Sequence, residues 1–168
     1  MIKGYQIKKA RSYGDAKIIA SHIRDIWGDR VDEAYYQKMY TYCRGSRYGF
    51  IIGFLRDEPV ASSIAFPVAA IPTFRQINEG NIFDLINHQG NYYYIHIVQV
   101  IAKYRNRGFG IKLLDDQINT AKVNHFHTIT GMALDCELEL WKRCGFIDFG
   151  RFGQYKHYGR MKWVKMSI

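Results

Sequence analysis

Apolar positions along the chain keep two rhythms, one of strands and one of helices. In Gly4 to Ala10 (GYQIKKA), Tyr5 and Ile7 alternate with polar neighbours, which predicts a strand with one inward face. Ala16, Ile19, Ile23 and Ile26 then recur at helical intervals and predict an amphipathic helix ending near Trp27 and Gly28. Ser12 and Asp15 precede it in capping-box spacing. A second helix is expected with Asp32 as its cap, and Val31 and Tyr36 as a hydrophobic staple. Its apolar face is Tyr36, Met39, Tyr40 and Cys43, and Gly45 ends it.

Tyr48 to Leu55 (YGFIIGFL) and Val60 to Val68 (VASSIAFPV), parted by Arg56-Asp57-Glu58-Pro59, read as a β-hairpin. Ala69 to Asn91 is less regular, with Pro72, Gly80 and Gly90 as punctuation and Ile82, Leu85 and Ile86 as a short helical turn. Such a connection is either surface structure or a substrate lid. Tyr92 to Ala102 is aromatic and β-branched, the composition of a buried central strand. After it Ile111, Leu114, Ile118 and Ala121 return to helical spacing, and Phe126 to Leu134 (FHTITGMAL) reads as a strand. A dense helix is predicted from Asp135, whose side chain caps it, through Leu138, Trp141 and Cys144 to a stop at Gly145. Phe146 to Phe149 and Met161 to Met166 complete the set as strands. The order β-α-α-β-β-β-α-β-α-β-β predicts an α/β fold with a mixed central sheet flanked by helices.

A chain of 168 residues, 48% hydrophobic and 23% charged, is expected to form one domain over residues 1–168 with a sizeable core. Lysine and arginine number 24 against 15 acidic residues, a formal charge of +9. A positive surface favours anions, among them phosphorylated cofactors and nucleic acid. The basic residues are scattered and carry no zinc-finger or RNA-binding signature, which argues against nucleic-acid binding as the main activity. No apolar signal-peptide core or run of membrane-spanning length is present, so a soluble cytoplasmic protein without a membrane partner is the expectation.

Between the central strand and the next helix lies Lys103 to Gly110 (KYRNRGFG), basic and glycine-punctuated. A strand entering a helix through such a turn leaves first-turn N–H groups without intrahelical partners, and small residues admit a ligand close to the backbone. Anion binding is the natural use, with pyrophosphate the obvious candidate. The plain alternative is an ordinary connection with solvated arginines.

Arg105, Gly108 and Gly110 match the pattern Arg/Gln-x-x-Gly-x-Gly/Ala, and the segment resembles the acyl-CoA-binding motif of the GNAT superfamily of N-acetyltransferases. A second anchor, Leu140-Trp141-Lys142-Arg143-Cys144-Gly145-Phe146, resembles that family's Leu/Phe-Tyr-x-x-x-Gly-Phe. Two departures stand out: Trp141 occupies the common Tyr position, and Leu134 stands where many members have Asn. His96 and the run Asp135-Cys136-Glu137-Leu138-Glu139-Leu140-Trp141 resemble the arylalkylamine type more than the commonest bacterial one. The resemblance extends from the first strand to the final pair.

It implies acetyl-CoA as co-substrate and direct acetyl transfer to a primary amine, with a small molecule favoured by the arylalkylamine-like pattern. The CoA pyrophosphate would lie on backbone N–H groups of Asn106, Arg107, Gly108, Phe109 and Gly110, with charge supplied by Arg105 or Arg107. Pantetheine would run beside Val98, Val100 and Ala102. The Val98 N–H would hold the thioester carbonyl, where negative charge develops. An alkylammonium acceptor must lose a proton, and His96 is the preferred base, on one strand face with Tyr94, Val98 and Val100 if no bulge intervenes. The alternative for His96 is a core histidine bonded to a tyrosine, and Gln99 is a weaker water-orienting substitute. Trp141 is expected as a hydrogen-bond donor to the leaving thiolate or as a wall on pantetheine, and Tyr155 or Tyr158 as a replacement phenol. The first two helices would flank the acceptor, with Tyr35, Tyr36 and Tyr40 as wall residues.

His125, His127 and His157 make no metal-ligand pattern, and no metal is expected. Cys43, Cys136 and Cys144 lack a Cys-x-x-Cys spacing and are expected as buried small hydrophobes. Competing functions are a protein or peptide N-acetyltransferase, and a noncatalytic acyl-CoA-binding or nucleic-acid-associated protein of the same fold. A homodimer agrees with family precedent, although the sequence marks no interface.

Overall fold

In a computed structural model, residues 2–28, 33–45, 49–68, 91–154 and 160–168 are described. The elements are β1 (Tyr5–Lys9), α1 (Tyr13–Trp27), α2 (Glu33–Gly45), β2 (Ile51–Leu55), β3 (Glu58–Pro67), β4 (Tyr92–Val100), α3 (Phe109–Val123), β5 (Thr128–Leu134), α4 (Leu138–Arg143), β6 (Ile147–Gln154) and β7 (Arg160–Ser167). Single 3-10 turns cover Ala102–Tyr104 and Asp135–Glu137. The strands form one seven-stranded sheet in the order β1-β2-β3-β4-β5-β7-β6. Pairing is parallel between β4 and β5 and antiparallel between β1 and β2, β2 and β3, β5 and β7, and β6 and β7. This is the predicted mixed sheet flanked by helices, in the predicted order. Among the described residues no helix is long and apolar enough to cross a membrane.

The chain divides into two compact units, one of residues 1–64 and 97–117 and one of 65–96 and 118–168. In the first, α1 begins with the predicted capping box: Ser12 Oγ accepts from the Asp15 N–H at 3.1 Å, and the Asp15 carboxylate accepts from the Ser12 N–H at 2.9 Å. Gly28 ends the helix at φ 62°, a left-handed conformation that glycine adopts without a Cβ penalty. Ala16, Ile19, Ala20 and Ile23 are buried along the inner face. The β2–β3 hairpin begins at Ile51, later than Tyr48, which lies outside the described residues. Ile51, Val60, Ala61, Phe109 and Leu113 form a core cluster, with Val98, Val100 and Tyr104 packed on it.

In the second unit β4 pairs with β5 from Tyr92↔Thr128 to Ile95↔Gly131, and β5 pairs with β7 from Thr128↔Ser167 to Leu134↔Met161. α4 ends in a Schellman motif: the Phe146 N–H donates to Trp141 O at 3.1 Å and the Gly145 N–H to Lys142 O at 2.9 Å, with Gly145 at φ 94°. The Trp141 and Phe146 rings meet edge to face at 4.9 Å, the apolar contact that accompanies this motif. The start of this helix differs from the sequence expectation. Residues 135–137 form a 3-10 turn that no side chain caps in the predicted manner, and the Leu134 N–H donates instead to Glu137 Oε2 at 3.3 Å. A glutamate three residues on reaches back to the entering amide, and Asp135 is exposed on the 3-10 turn.

Expectations for Val31 and Asp32, for the turn at Ile82, Leu85 and Ile86 with Pro72, Gly80 and Gly90, and for His157 lie outside the described residues.

Candidate functional site

The basic turn leaves β4 and rebuilds as a helix start. After the 3-10 turn Ala102–Tyr104, Arg105 is extended at φ −61° and ψ 162°. Asn106 then lies at φ 59° and Gly108 at φ 85°. Asparagine tolerates the left-handed region and glycine enters it freely, which is why this sequence makes so abrupt a bend. The first helical bond of α3 runs from the Lys112 N–H to Gly108 O at 3.2 Å. The N–H groups of Phe109, Gly110 and Ile111 therefore have no carbonyl one turn back, and the helix dipole adds positive potential there.

Side chains hold the turn in place. Phe109 is 2% exposed, with its ring 4.8 Å from Tyr5 and 6.2 Å from Tyr104. Burial of such a ring contributes about 1.5–3 kcal/mol, enough to pin the first residue of α3. The Glu58 carboxylate accepts from Lys103 Nζ at 2.5 Å and from the Tyr104 hydroxyl. These two donors hold its pKa below the usual carboxylate range, and Glu58 in turn raises that of Lys103. Arg105 Nε donates to Val100 O at 3.1 Å, and the Arg107 guanidinium lies 5.7 Å from the centre of the Tyr104 ring. Both arginines are exposed.

Upstream, Val98 and Val100 pack on the cluster that contains Phe109 and Leu113. Ala102 is exposed. The Ile101 N–H donates to Val60 O at 3.0 Å. Gln99 is 3% exposed, and its Nε2 donates to Ser62 Oγ at 2.8 Å. Ser62 Oγ lies 3.0 Å from His22 Nδ1, closing a buried polar chain. Burial lowers the His22 pKa, against opposing effects of a hydrogen bond to the Pro59 carbonyl and of Asp25. Gln99 is thus engaged with Ser62, although its Oε1 has no partner among the described residues.

On α2, Tyr35, Tyr36 and Tyr40 are half-buried. Tyr40 meets Tyr13 edge to face at 5.8 Å, and Lys17 Nζ lies 4.7 Å from the Tyr13 ring and 5.8 Å from that of Tyr36. The Tyr13 hydroxyl donates to Glu33, which pushes its pKa up to about 12.

In the second unit His96 is half-buried among aromatic rings, 6.0 Å from Tyr94 and 6.2 Å from Phe66. Tyr94 itself meets Phe66 at 5.5 Å and Trp163 at 6.5 Å. Trp141 is 3% exposed, with the edge of its ring against Gly131. Tyr155 and Tyr158 lie outside the described residues. Cys136 is exposed on its 3-10 turn and Cys144 is half-buried, which corrects the expectation of buried thiols for both; the Cys43 side chain is not among those described. Among the described residues no group of three His, Cys, Asp or Glu side chains is placed to hold a metal ion.

The sequence pattern singled out the turn but passed over His22, Ser62, Ser63 and Gln117. The available signal was Ser62-Ser63 itself: adjacent strand residues point to opposite faces, so a polar pair inside an apolar run puts one hydroxyl on each.

No protein-family model matches the chain, and no curated protein matches it in sequence. Solved structures do match. Arabidopsis thaliana Naa50, in complex with the bisubstrate analogue CoA-Ac-MVNAL, is 14% identical with a TM-score of 0.71, over 98% of this chain and 99% of that one. Arabidopsis thaliana NAA60, in complex with acetyl-CoA, is 18% identical with a TM-score of 0.71 over the same shares. A mosquito arylalkylamine N-acetyltransferase, like 5b, is 14% identical with a TM-score of 0.67, over 98% of this chain and 100% of that one. At these identities the likeness is one of architecture, and it spans nearly the whole chain: the protein has the GNAT fold.

Proposed function

We propose that the chain transfers an acetyl group from acetyl-CoA to a primary amine by direct attack, with a small molecule as acceptor. The observation that carries this reading is the turn at residues 105–110, where two left-handed residues lead into a helix whose first N–H groups have no internal acceptor. Backbone of this shape fits a pyrophosphate, and its fixed side chains leave little ordering for binding to accomplish.

When bound, acetyl-CoA supplies an activated acyl thioester. The residues that would hold it are Asn106, Arg107, Gly108, Phe109 and Gly110 through the main chain, with Arg105 and Arg107 adding charge. Val98, Val100 and Ala102 would hold the pantetheine arm. The Val98 N–H would stabilise negative charge on the thioester oxygen. His96 would take the proton of the attacking amine, directly or through water. Trp141 would donate a hydrogen bond to the departing sulfur or pack against the arm, and Tyr155 or Tyr158 would supply a proton.

A peptide α-amine is the second reading for the acceptor, favoured by the peptide-like bisubstrate analogue held by Naa50. Calorimetry with acetyl-CoA, followed by CoA release and product mass across a panel of small amines and peptides, tests both. Turnover on arylalkylamines with none on peptides supports the first reading, and the reverse supports the second. Tight acetyl-CoA binding with no acceptor at all would make the protein a noncatalytic binder, and absence of binding would remove the enzyme reading altogether.

A further inference from the structure

Ser62 and Ser63 are fully buried in a strand that is otherwise apolar from Val60 to Phe66. Ser62 belongs to the Gln99 and His22 chain. Ser63 Oγ donates to the Ile97 carbonyl at 2.8 Å. Behind it Gln117 of α3, also fully buried, places Nε2 2.8 Å from Gly49 O and 3.0 Å from Ser63 Oγ.

The directions of these bonds are forced. A carbonyl can only accept, so Gly49 O fixes which end of the Gln117 amide is nitrogen, and the second N–H goes to Ser63. Ser63 accepts there, and its own hydrogen goes to Ile97 O. The Ile97 carbonyl shares its peptide unit with the Val98 nitrogen. Donation to a carbonyl oxygen increases the double-bond character of the C–N bond and makes the attached N–H a better donor, and linked hydrogen bonds strengthen one another in this way. It also fixes the plane in which that N–H points.

We propose that Ser63 and Gln117 are positioning residues for the Val98 N–H, which they orient and polarise through the Ile97 carbonyl; the inference rests on Val98 being the donor to the thioester oxygen. The same bonds also satisfy the backbone carbonyls of Gly49 and Ile97, so the test reads the polarity of the bound thioester, which satisfying those carbonyls alone would not move.

The test is the carbonyl resonance of [1-13C]acetyl-CoA bound to the full chain, with steady-state kinetics, in wild type, Ser63→Ala, Ser63→Thr and Gln117→Met. In wild type the bound carbonyl is expected downfield of free acetyl-CoA. Ser63→Ala should move it back toward the free position and lower kcat by about tenfold, with the KM for acetyl-CoA within about twofold, a fraction of the effect of losing a direct oxyanion donor. Ser63→Thr, which keeps the hydroxyl, should restore both, and Gln117→Met should show the same change in smaller measure. A wild-type resonance and kcat in Ser63→Ala overturn the inference and leave the role of Val98 standing. A wild-type resonance identical to that of free acetyl-CoA overturns both. Should Ser63→Ala not fold, Gln117→Met decides: an unshifted resonance there overturns the chain of donors.

Discussion

Trp141 lies directly on Gly131: a Cβ at that glycine would stand 2.8 Å from Cη2 of the indole, 3.0 Å from Cζ3 and 3.1 Å from the Ile95 carbonyl oxygen. The backbone neighbour cannot give way, and the ring is buried and held by Phe146. Gly131→Ala is therefore expected to destabilise the fold by about 1–3 kcal/mol. Trp141→Phe in the same chain should return part of that loss by vacating the outer ring atoms. Urea midpoints of the two single variants and the double variant check this, and strict additivity would mean that the two side chains do not compete for the space.

Among the described residues a Cβ at Gly108, which lies at φ 85°, would meet only Ile2 Cδ1, at an ordinary contact distance of 3.8 Å, so conformation and not crowding constrains this residue. Gly108→Ala should cost about 1–2 kcal/mol in the turn, and acetyl-CoA affinity should fall with it. Asn106→Gly, at φ 59°, should preserve affinity because glycine enters that region more easily still. Calorimetry on both variants separates this from a general loss of stability, and equal losses would contradict it.

If His96 is the base, His96→Ala should lower turnover by about 100-fold or more and leave acetyl-CoA affinity nearly unchanged. A variant that turns over at the wild-type rate across the pH range would return His96 to the aromatic cluster formed with Tyr94 and Phe66 as a packing residue.

Burial lowers the pKa of His22 from its ordinary 6.5, so the unfolded chain takes up a proton before the folded one does. Its contribution to stability is present above the unfolded value and is lost as pH falls through 6.5 toward the lower folded value. Unfolding midpoints of wild type should drop over that window. His22→Gln should show a flatter dependence there, and an identical slope would assign the acid sensitivity to other groups.

Local rules made much of the fold readable. The Ser12 and Asp15 box, the Gly28 stop and the Gly145-Phe146 ending of α4 each depend on residues within a few positions of one another, and each forms as its spacing predicts. The turn at 105–110 was legible for the same reason, since Asn106 and Gly108 suit the conformations they adopt. At Asp135 the reading failed: residues 135–137 form a 3-10 turn, and the helix proper starts only at Leu138, with no side-chain cap. The tie from Gln117 through Ser63 to Ile97 joins three distant parts of the chain, and no spacing in the sequence brings them together.

Because Glu58 divides its carboxylate between Lys103 and Tyr104, the turn proposed to take the pyrophosphate is fastened to the β2–β3 hairpin before any ligand arrives. Ionic strength then acts on capture twice, by shielding the incoming anion and by slackening this exposed clamp. On the proposed function, Glu58→Gln is expected to remove the second sensitivity and leave the first, so that the hairpin would set how steeply acetyl-CoA capture responds to salt.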